Sequence, residues 1–265
     1  MEAVRVHVVS DVHGNAEALA RAGDGADALV VLGDLIDFVD YYDHSKGILG
    51  RVFGPEKVGI FAELRRGTRR ADTAGYIRSL WDGLADARSV VEEAVLEQYH
   101  ALFAAMSAPT YATPGNVDSP HLWPQFARDG VHVFDGEAVE IGGLRFGFAG
   151  GGLMLPGLVR NPNAPWFPYL RTEEDMAAAL DRMGRVDVLC THIPPAVPDL
   201  TYDVVARRPE WGSRPALDKI VRERPRWSVF GHVHQPLARR VRIGYTECIN
   251  VGHFQRSGKP HVLNW

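Results

Sequence analysis

The 265-residue sequence has few cysteines and no long apolar segment. Cys190 and Cys248 each lie in an apolar, strand-like run, which favours two buried, reduced thiols over a disulfide or a cysteine metal site. No apolar run approaches the roughly 20 residues that a membrane-spanning helix requires. The N-terminal residues have the pattern of a strand rather than of a secretory signal. These absences predict a cytoplasmic protein without a membrane partner.

The sequence also lacks a strong charge of either sign. Its formal net charge is -4 with histidine neutral, which provides no general attraction to DNA, RNA or anionic lipid. Arginine is dense in two places, which we interpret as solvated surface because a nucleic-acid footprint should dominate the charge of a domain. Nucleic acid stays open as a partner. The two clusters are Arg65, Arg66, Arg69 and Arg70, and then Arg222, Arg224 and Arg226 with Arg239, Arg240 and Arg242.

Short runs rich in valine, isoleucine and leucine predict buried β-strands along the chain. The pair Gly142-Gly143 between two of these runs predicts a hairpin, so the sheet arrangement should be mixed rather than purely parallel. The predicted strands cover residues 4–9, 28–32, 110–113, 137–141, 144–149, 186–191, 227–230, 239–243, 247–251 and 261–265.

Helical patterns separate most of the strands. They predict helices over 15–22, 173–183 and 214–222, and a fourth that begins at Ser89, with Glu92 completing a capping box, and runs to about Met106. Residues 38–107, with many charges and weak strand signals, predict a largely helical insertion in a single domain of residues 1–265. Such an insertion would overhang a site at the preceding strand end, although a purely structural flap is nearly as well supported.

The alternation of strands and helices predicts an α/β fold. Two mixed sheets packed face to face with helices outside, a four-layer α/β/β/α sandwich, satisfy the pattern. Periodicity alone leaves a single doubly wound sheet as the alternative.

Polar clusters follow five of the predicted strands. Because ligands gather at the carboxyl ends of strands in open α/β sheets, clusters far apart in sequence should converge in space. Aspartate and histidine suit divalent Mn, Fe, Zn and Ni, and a carboxylate can bridge two ions. The clusters are Asp11-Val12-His13, Gly33-Asp34-Leu35-Ile36-Asp37, Gly115-Asn116-Val117-Asp118, Thr191-His192 and Gly231-His232-Val233-His234.

In this order the motifs resemble the signature of the calcineurin-like metallophosphoesterases: Asp-x-His, Gly-Asp-x-x-Asp, Gly-Asn-x-Asp, His and Gly-His-x-His. The resemblance spans residues 11–234. Each motif alone is weak evidence for the family, since each residue alone is also explained as a surface histidine or a turn former. The ordered set of motifs is specific to the family. The resemblance implies the four-layer sandwich and a metal-dependent hydrolase of phosphate esters with two divalent ions, drawn from Mn, Fe, Zn, Mg and Ni.

The resemblance also implies the role of each residue. A hydroxide shared by the two ions would attack phosphorus in line, so no nucleophilic side chain is needed. Asp37 and Asp118 are expected to accept hydrogen bonds that orient ligand imidazoles or the Asn116 loop. One ion would be bound by Asp11, His13, Asp34 and His234, and the other by Asp34, Asn116, His192 and His232. The residues assigned to catalysis are Asp34, Asn116, Asp118 and His232.

The sequence departs from the family pattern at one position. Many members carry histidine directly after the Gly-Asn pair, where it is thought to protonate the leaving oxygen, but this chain has Val117. A general acid matters most for poor leaving groups, so we expect a preference for phosphodiesters or activated esters of small, nucleotide-like molecules. His121 and His44 are the nearest candidates in sequence for a replacement acid.

Two other interpretations remain at this point. A phosphomonoesterase or nuclease would use the same metals, and a noncatalytic scaffold would use the same fold, although a decayed scaffold should lack ligands that are all present here. Histidines outside the motifs are expected to be structural or exposed. They are His7, His44, His100, His121, His132, His253 and His261.

Overall fold

Fifteen strands occur in the computed structural model, which describes residues 3–66, 70–107, 109–155, 157–158 and 161–265. Most predicted strands match an observed one to within two residues at either end. The strand β4 and the two short pairs, β7 with β8 and β10 with β11, were not predicted. In chain order the strands are β1 Arg5–Val9, β2 Ala28–Val31, β3 Thr110–Ala112, β4 Val131–Val133, β5 Glu137–Ile141, β6 Leu144–Ala149, β7 Gly152–Leu153, β8 Leu170–Arg171, β9 Val188–Thr191, β10 Tyr202–Asp203, β11 Arg208–Pro209, β12 Trp227–Phe230, β13 Arg240–Ile243, β14 Thr246–Asn250 and β15 His261–Asn264.

The long strands form two mixed sheets. The first has the order β15-β1-β2-β3-β4, in which only β15 is antiparallel to its neighbour. The second has the order β13-β14-β12-β9-β6-β5, with a parallel centre and antiparallel edges. The edge pair β5 and β6 is the hairpin predicted at Gly142-Gly143.

Side chains that alternate along the strands divide the core into layers. In β2, Ala28 and Val30 pack in the cluster between the sheets, whereas Leu29 and Val31 pack with the helices on the outer face. In β9, Cys190 faces the inner cluster and Leu189 faces α6 and α8. This period of two places one helical layer on each outer face and confirms the α/β/β/α sandwich.

Helices cover the outer faces and fill the segment between β2 and β3. Four of them, α2 to α5, lie in that segment, where a helical insertion is predicted. None of the described helices is both long enough and apolar enough to cross a membrane. The helices are α1 Ala16–Leu19, α2 Gly47–Phe53, α3 Pro55–Arg66, α4 Arg70–Asp82, α5 Ala87–Ala105, α6 Glu173–Arg182, α7 Pro198–Thr201, α8 Arg214–Glu223 and α9 Phe254–Ser257, with a 3₁₀ helix at Pro120–Phe126.

Two predicted helix boundaries are wrong. The helix expected to start at Ser89 starts at Ala87, because the Asp86 side chain accepts the Ser89 backbone N–H and caps it. The helix expected over 15–22 ends at Leu19 and continues only as turns through Gly25, where a positive φ favours glycine. Both cysteines are buried and unpaired, as predicted.

The arginine clusters do not form one free basic surface in the described part of the chain. Arg222 pairs with Asp181 and Glu223, and Arg240 pairs with Glu247. Arg65 and Arg66 end α3. Arg69 and the side chain of Arg70 lie outside the described residues.

Candidate metal centre

The candidate site is built by five loops that follow parallel strands of both sheets. The loops are tied to one another through their backbones. The Asp11 N–H donates to the Gly33 carbonyl at 3.1 Å, and the Gly231 N–H donates to the His192 carbonyl at 3.0 Å. The His232 N–H donates to the Asp11 carboxylate at 2.9 Å, which joins the first sheet to the second. The carboxyl ends of the two sheets therefore meet at one place.

Sharp turns aim the side chains inward. Six described non-glycine residues have a positive φ, and four of them belong to the predicted ligand set: Asp11, His13, Asp34 and His232. Such backbone is strained for these residue types and persists where the surrounding structure over-determines it, which happens often at functional sites. Gly115 allows the close approach, because a Cβ there would collide with the Asp34 side chain.

Asp34 lies at the centre of the site. Its carboxylate is buried, and its two oxygens face different histidines. Oδ1 lies 3.4 Å from His192 Nε2 and accepts the Val117 N–H at 2.9 Å. Oδ2 lies 3.9 Å from His13 Nε2. The geometry suits a carboxylate that bridges two neighbouring positions.

The remaining predicted ligands form one group on each side of Asp34. On one side, His13 Nε2 lies 3.4 Å from His234 Nε2, which lies 3.5 Å from Asp11 Oδ1. On the other side, His192 Nε2 lies 2.9 Å from Asn116 Oδ1. His232 joins this second side, because ligand atoms of Asp34, His192 and His232 lie within 4.8 Å of one another. All seven predicted ligands thus converge, and they divide as the resemblance implied.

Hydrogen bonds fix which nitrogen of two histidines faces the centre. His13 Nδ1 lies 3.2 Å from the Ile36 carbonyl, and His192 Nδ1 lies 2.8 Å from the Leu32 carbonyl. A carbonyl only accepts, so each Nδ1 must donate, and in a neutral ring the lone pair remains on Nε2. Each Nε2 faces another lone-pair atom across the centre, which leaves a place for a cation.

The spacings also fit divalent ions. Metal–nitrogen and metal–oxygen bonds of about 2.0 to 2.2 Å place neighbouring ligand atoms about 3 to 3.5 Å apart. Four of the five distances across the site lie at 2.9, 3.4, 3.4 and 3.5 Å, and the fifth is 3.9 Å. Small side-chain adjustments would close the fifth, so the residues present fit a pair of ions that share Asp34.

The site holds its carboxylates ionised against the cost of burial. Burial alone would raise the pKa of Asp11, but the hydrogen bond and charge of His234 hold it below its usual value. Burial lowers the pKa of His192, but the charge of Asp34 outweighs this and raises it to about 9. Burial and the nearby His192 lower the pKa of His232 to about 4. Without a cation, the charge of Asp34 holds a proton on His192, and the same buried negative charge favours a divalent cation in place of that proton.

Asp118 holds two site loops together instead of facing the centre. Its buried carboxylate accepts the Gly115 N–H at 2.8 Å, the Leu35 N–H at 3.1 Å and the Tyr99 hydroxyl at 3.2 Å. These contacts make Asp118 an acceptor that positions the loops of Asp34 and Asn116, as expected for it, and its assignment to catalysis stays a prediction.

Asp37 does not orient an imidazole, contrary to expectation. The Ile36 carbonyl orients His13, and the Asp37 backbone is held by the Gln98 side chain. The Asp37 carboxyl lines a cavity, and burial together with the charge of Asp40 raises its pKa to about 7.

His253, which was expected to be structural or exposed, lies against the candidate site. This histidine is buried at the site, and ligand atoms of His13, His234 and His253 lie within 4.8 Å of one another. The signal in the sequence is weak: His253 follows a strand end, as the ligands do, but it belongs to no motif. His44 and His121 join none of these clusters among the described residues.

A cavity of about 640 Å³ opens beside the site at His13 and Gly14. Its other walls come from the segment between β2 and β3, including Asp37, Tyr42 and Lys46, and from Arg256 near the C-terminus. The Arg256 guanidinium lies 4.3 Å from the centre of the Tyr42 ring. The helical segment therefore lines the cavity beside the site.

Comparisons with known proteins agree with this geometry. No curated protein matches the chain. One solved crystal structure superposes with a TM-score of 0.60 at 16% identity, covering 99% of this chain and 95% of that chain. The crystal structure of TT1561 of Thermus thermophilus gives a TM-score of 0.53 at 13% identity and 98% coverage of each chain. Both show a shared fold. The family model for calcineurin-like phosphoesterases matches residues 4–236, and the chain belongs to that family.

Proposed function

We propose that this phosphoesterase hydrolyses small phosphodiesters at two divalent cations held by Asp34 and the six side chains around it. The observation that carries the proposal is the convergence of all seven side chains with Asp34 between two groups. Divalent cations bound there lower the pKa of a shared water and neutralise charge on the phosphoryl oxygens. The ions would be Mn, Fe, Zn, Mg or Ni, since each accepts carboxylate and imidazole donors.

Backbone groups of the protein hold the candidate ligand side chains in position. The Ile36 and Leu32 carbonyls hold the rings of His13 and His192, and the Val117 N–H holds the Asp34 carboxylate. Rigid support of this kind keeps donor atoms in place without reorganisation during the reaction.

The residue at position 117 is the basis for the proposed preference for diesters. Val117 is apolar and packs against the apolar cluster on the outer face of the first sheet, so no acid occupies this place. His44 instead lies against Gly59 of α3, and His121 is exposed. With neither replacement acid at the site, hydrolysis should favour esters whose leaving group needs no protonation, or diesters with their lower charge.

A matched substrate pair tests this preference. We expect kcat/KM for p-nitrophenyl methyl phosphate to exceed that for p-nitrophenyl phosphate by about tenfold or more, because the two share one leaving group and the diester carries less negative charge toward the attacking hydroxide. Steady-state kinetics with the same metal and pH compare the two. Faster turnover of the monoester would overturn the diester assignment and leave a phosphomonoesterase.

The cavity at His13 is the place proposed for the organic part of the substrate. Tyr42 is 69% exposed and offers an aromatic face, and Arg256 and Lys46 supply positive charge beside it. Planar rings stack on such faces, and arginine binds phosphate or carboxylate. A nucleotide-like group combines these features.

Replacing Tyr42 by Ala should raise KM for a nucleotide diester about five- to tenfold with little change in kcat, since stacking contributes about 1 kcal/mol. Tyr245→Ala is the matched control, because Tyr245 is also exposed and also lies under an arginine, Arg224, but lines neither this cavity nor the metal centre. Equal effects of the two changes, or no effect of either, would exclude this cavity as the substrate pocket.

A further inference from the structure

His253 reaches the metal centre because of the strand that precedes it. Strand β14 is parallel to β12, so the residues after Asn250 emerge beside the loop that carries His232. Backbone bonds then tie the chain to the first sheet. The Phe254 N–H donates to the Ser10 carbonyl at 3.0 Å, and the Gln255 N–H donates to the Asp11 carbonyl at 2.9 Å.

The ring of His234 is held differently from the ring of His13, the other candidate ligand histidine on the same side of Asp34. The ring of His13 is fixed by a backbone carbonyl at Nδ1, as is that of His192. The polar contacts of the His234 ring among the described residues are made by Nε2, toward His13 and Asp11, and the side chain is 36% exposed. A metal-binding histidine usually needs its second nitrogen held by a partner. Something else must fix the His234 ring.

A ring stack with His253 provides that support. The two imidazole centroids lie 3.8 Å apart with the planes at 18°. His253 is itself fixed, because its Nε2 lies 3.1 Å from Gln255 Oε1. Gln255 is anchored in turn by its Nε2, which donates to the His13 carbonyl, and by its carbonyl, which accepts from Asn15.

The same geometry argues against His253 as a ligand of the ion at His234. The lone pair of an imidazole nitrogen lies in the ring plane. Two nearly parallel, stacked rings therefore hold their lone pairs in two separate planes that lie almost parallel, so the lone pairs do not converge on one ion. His253 would have to leave the stack to bind the ion that His234 binds.

We propose that His253 is a positioning residue that holds the His234 imidazole in its metal-binding orientation by stacking. This inference rests on the cation pair of the proposed function. An aromatic ring at position 253 is then what matters, and its nitrogens serve only to hold it in place through Gln255.

Metal binding tests the proposal without any assay of activity. After dialysis against a chelator, wild-type protein, His253→Ala and His253→Phe are titrated with Mn²⁺ by calorimetry, with stoichiometry checked by atomic emission. We expect two Mn²⁺ per wild-type chain, a loss of about 10- to 100-fold in affinity at one position in His253→Ala, and affinity within about threefold of wild type in His253→Phe.

Controls separate this role from folding and from the proposed function. His253→Leu fills the space without an aromatic face and should behave like His253→Ala. If His253→Ala does not fold in chelator, His253→Leu is used in its place. His132→Ala removes an exposed histidine stacked on Tyr111 and should change nothing. Equal losses in the phenylalanine and alanine variants, or no loss in alanine, would overturn the positioning role. Wild type that binds none of the candidate ions Mn²⁺, Fe²⁺, Zn²⁺, Mg²⁺ and Ni²⁺ would overturn the proposed function itself.

Discussion

Replacing Asp34 by Asn is expected to reduce phosphoester hydrolysis by about 10³-fold and to weaken both proposed cation positions together. Among the residues that the structure describes, Asp34 is the one side chain that faces both groups, with one oxygen toward His192 and the other toward His13. An amide keeps one oxygen and loses the negative charge. Stabilisation of the transition state by two divalent cations would be worth several kcal/mol. Each 1.36 kcal/mol is a factor of ten in rate.

The measurement pairs kcat/KM with metal content after dialysis. Asp187→Asn is the isosteric control, since Asp187 lies just before β9 at the end of the sheet opposite to the site and holds Arg145. Loss of a single ion in Asp34→Asn, with the other retained at full affinity, would show that Asp34 does not bridge. Full activity would exclude it from the site.

Replacing Asp118 by Ala should produce the largest loss of stability among these changes, about 3 to 5 kcal/mol in the free energy of unfolding. The buried carboxylate accepts from Gly115, Leu35 and Tyr99, and each buried donor left without a partner costs about 1 to 3 kcal/mol. For a chain of this size the change corresponds to a fall of roughly 10 °C in Tm.

Thermal unfolding in chelator at pH 8 measures the effect without a contribution from bound metal. This pH lies above the value of about 7 to which burial and the charge of Asp34 raise the pKa of Asp118, so the carboxyl is ionised. Tyr99→Phe removes only one of the hydrogen bonds that Asp118 accepts, and it should lower the free energy of unfolding by about 1 to 2 kcal/mol. A loss in Asp118→Ala no larger than in Tyr99→Phe would show that this carboxylate does not hold the loops together.

The convergence of the candidate ligands could be predicted because each follows a buried strand and each motif is local. One residue separates Asp11 from His13, and one separates His232 from His234, so a single turn sets the directions of each pair. Hydrophobic runs locate the strands, and the carboxyl ends of parallel strands meet at one edge of the sheet. The linear sequence was therefore enough to predict which side chains would converge.

Other features depend on groups that meet only in the folded chain. The role of Asp118 follows from a backbone N–H in another loop, at Leu35, and Asp37 was misjudged because the Ile36 carbonyl takes the place beside His13. His253 has no motif, and its position is set by the path of the chain after β14. Contacts of this kind have no periodicity or spacing that a sequence reveals.

By itself the sequence determined ten of the strands, the mixed α/β class, the buried thiols and the set of candidate residues with metal-binding chemistry, and its resemblance to a family indicated the four-layer sandwich. Only the tertiary structure decided that Asp34 lies between two groups, that His253 stacks on His234 and that the segment between β2 and β3 borders the cavity at His13. The reason is physical. Alternating apolar side chains and turn residues act over a few positions, whereas distances between loops depend on how both sheets and their helices pack as a whole.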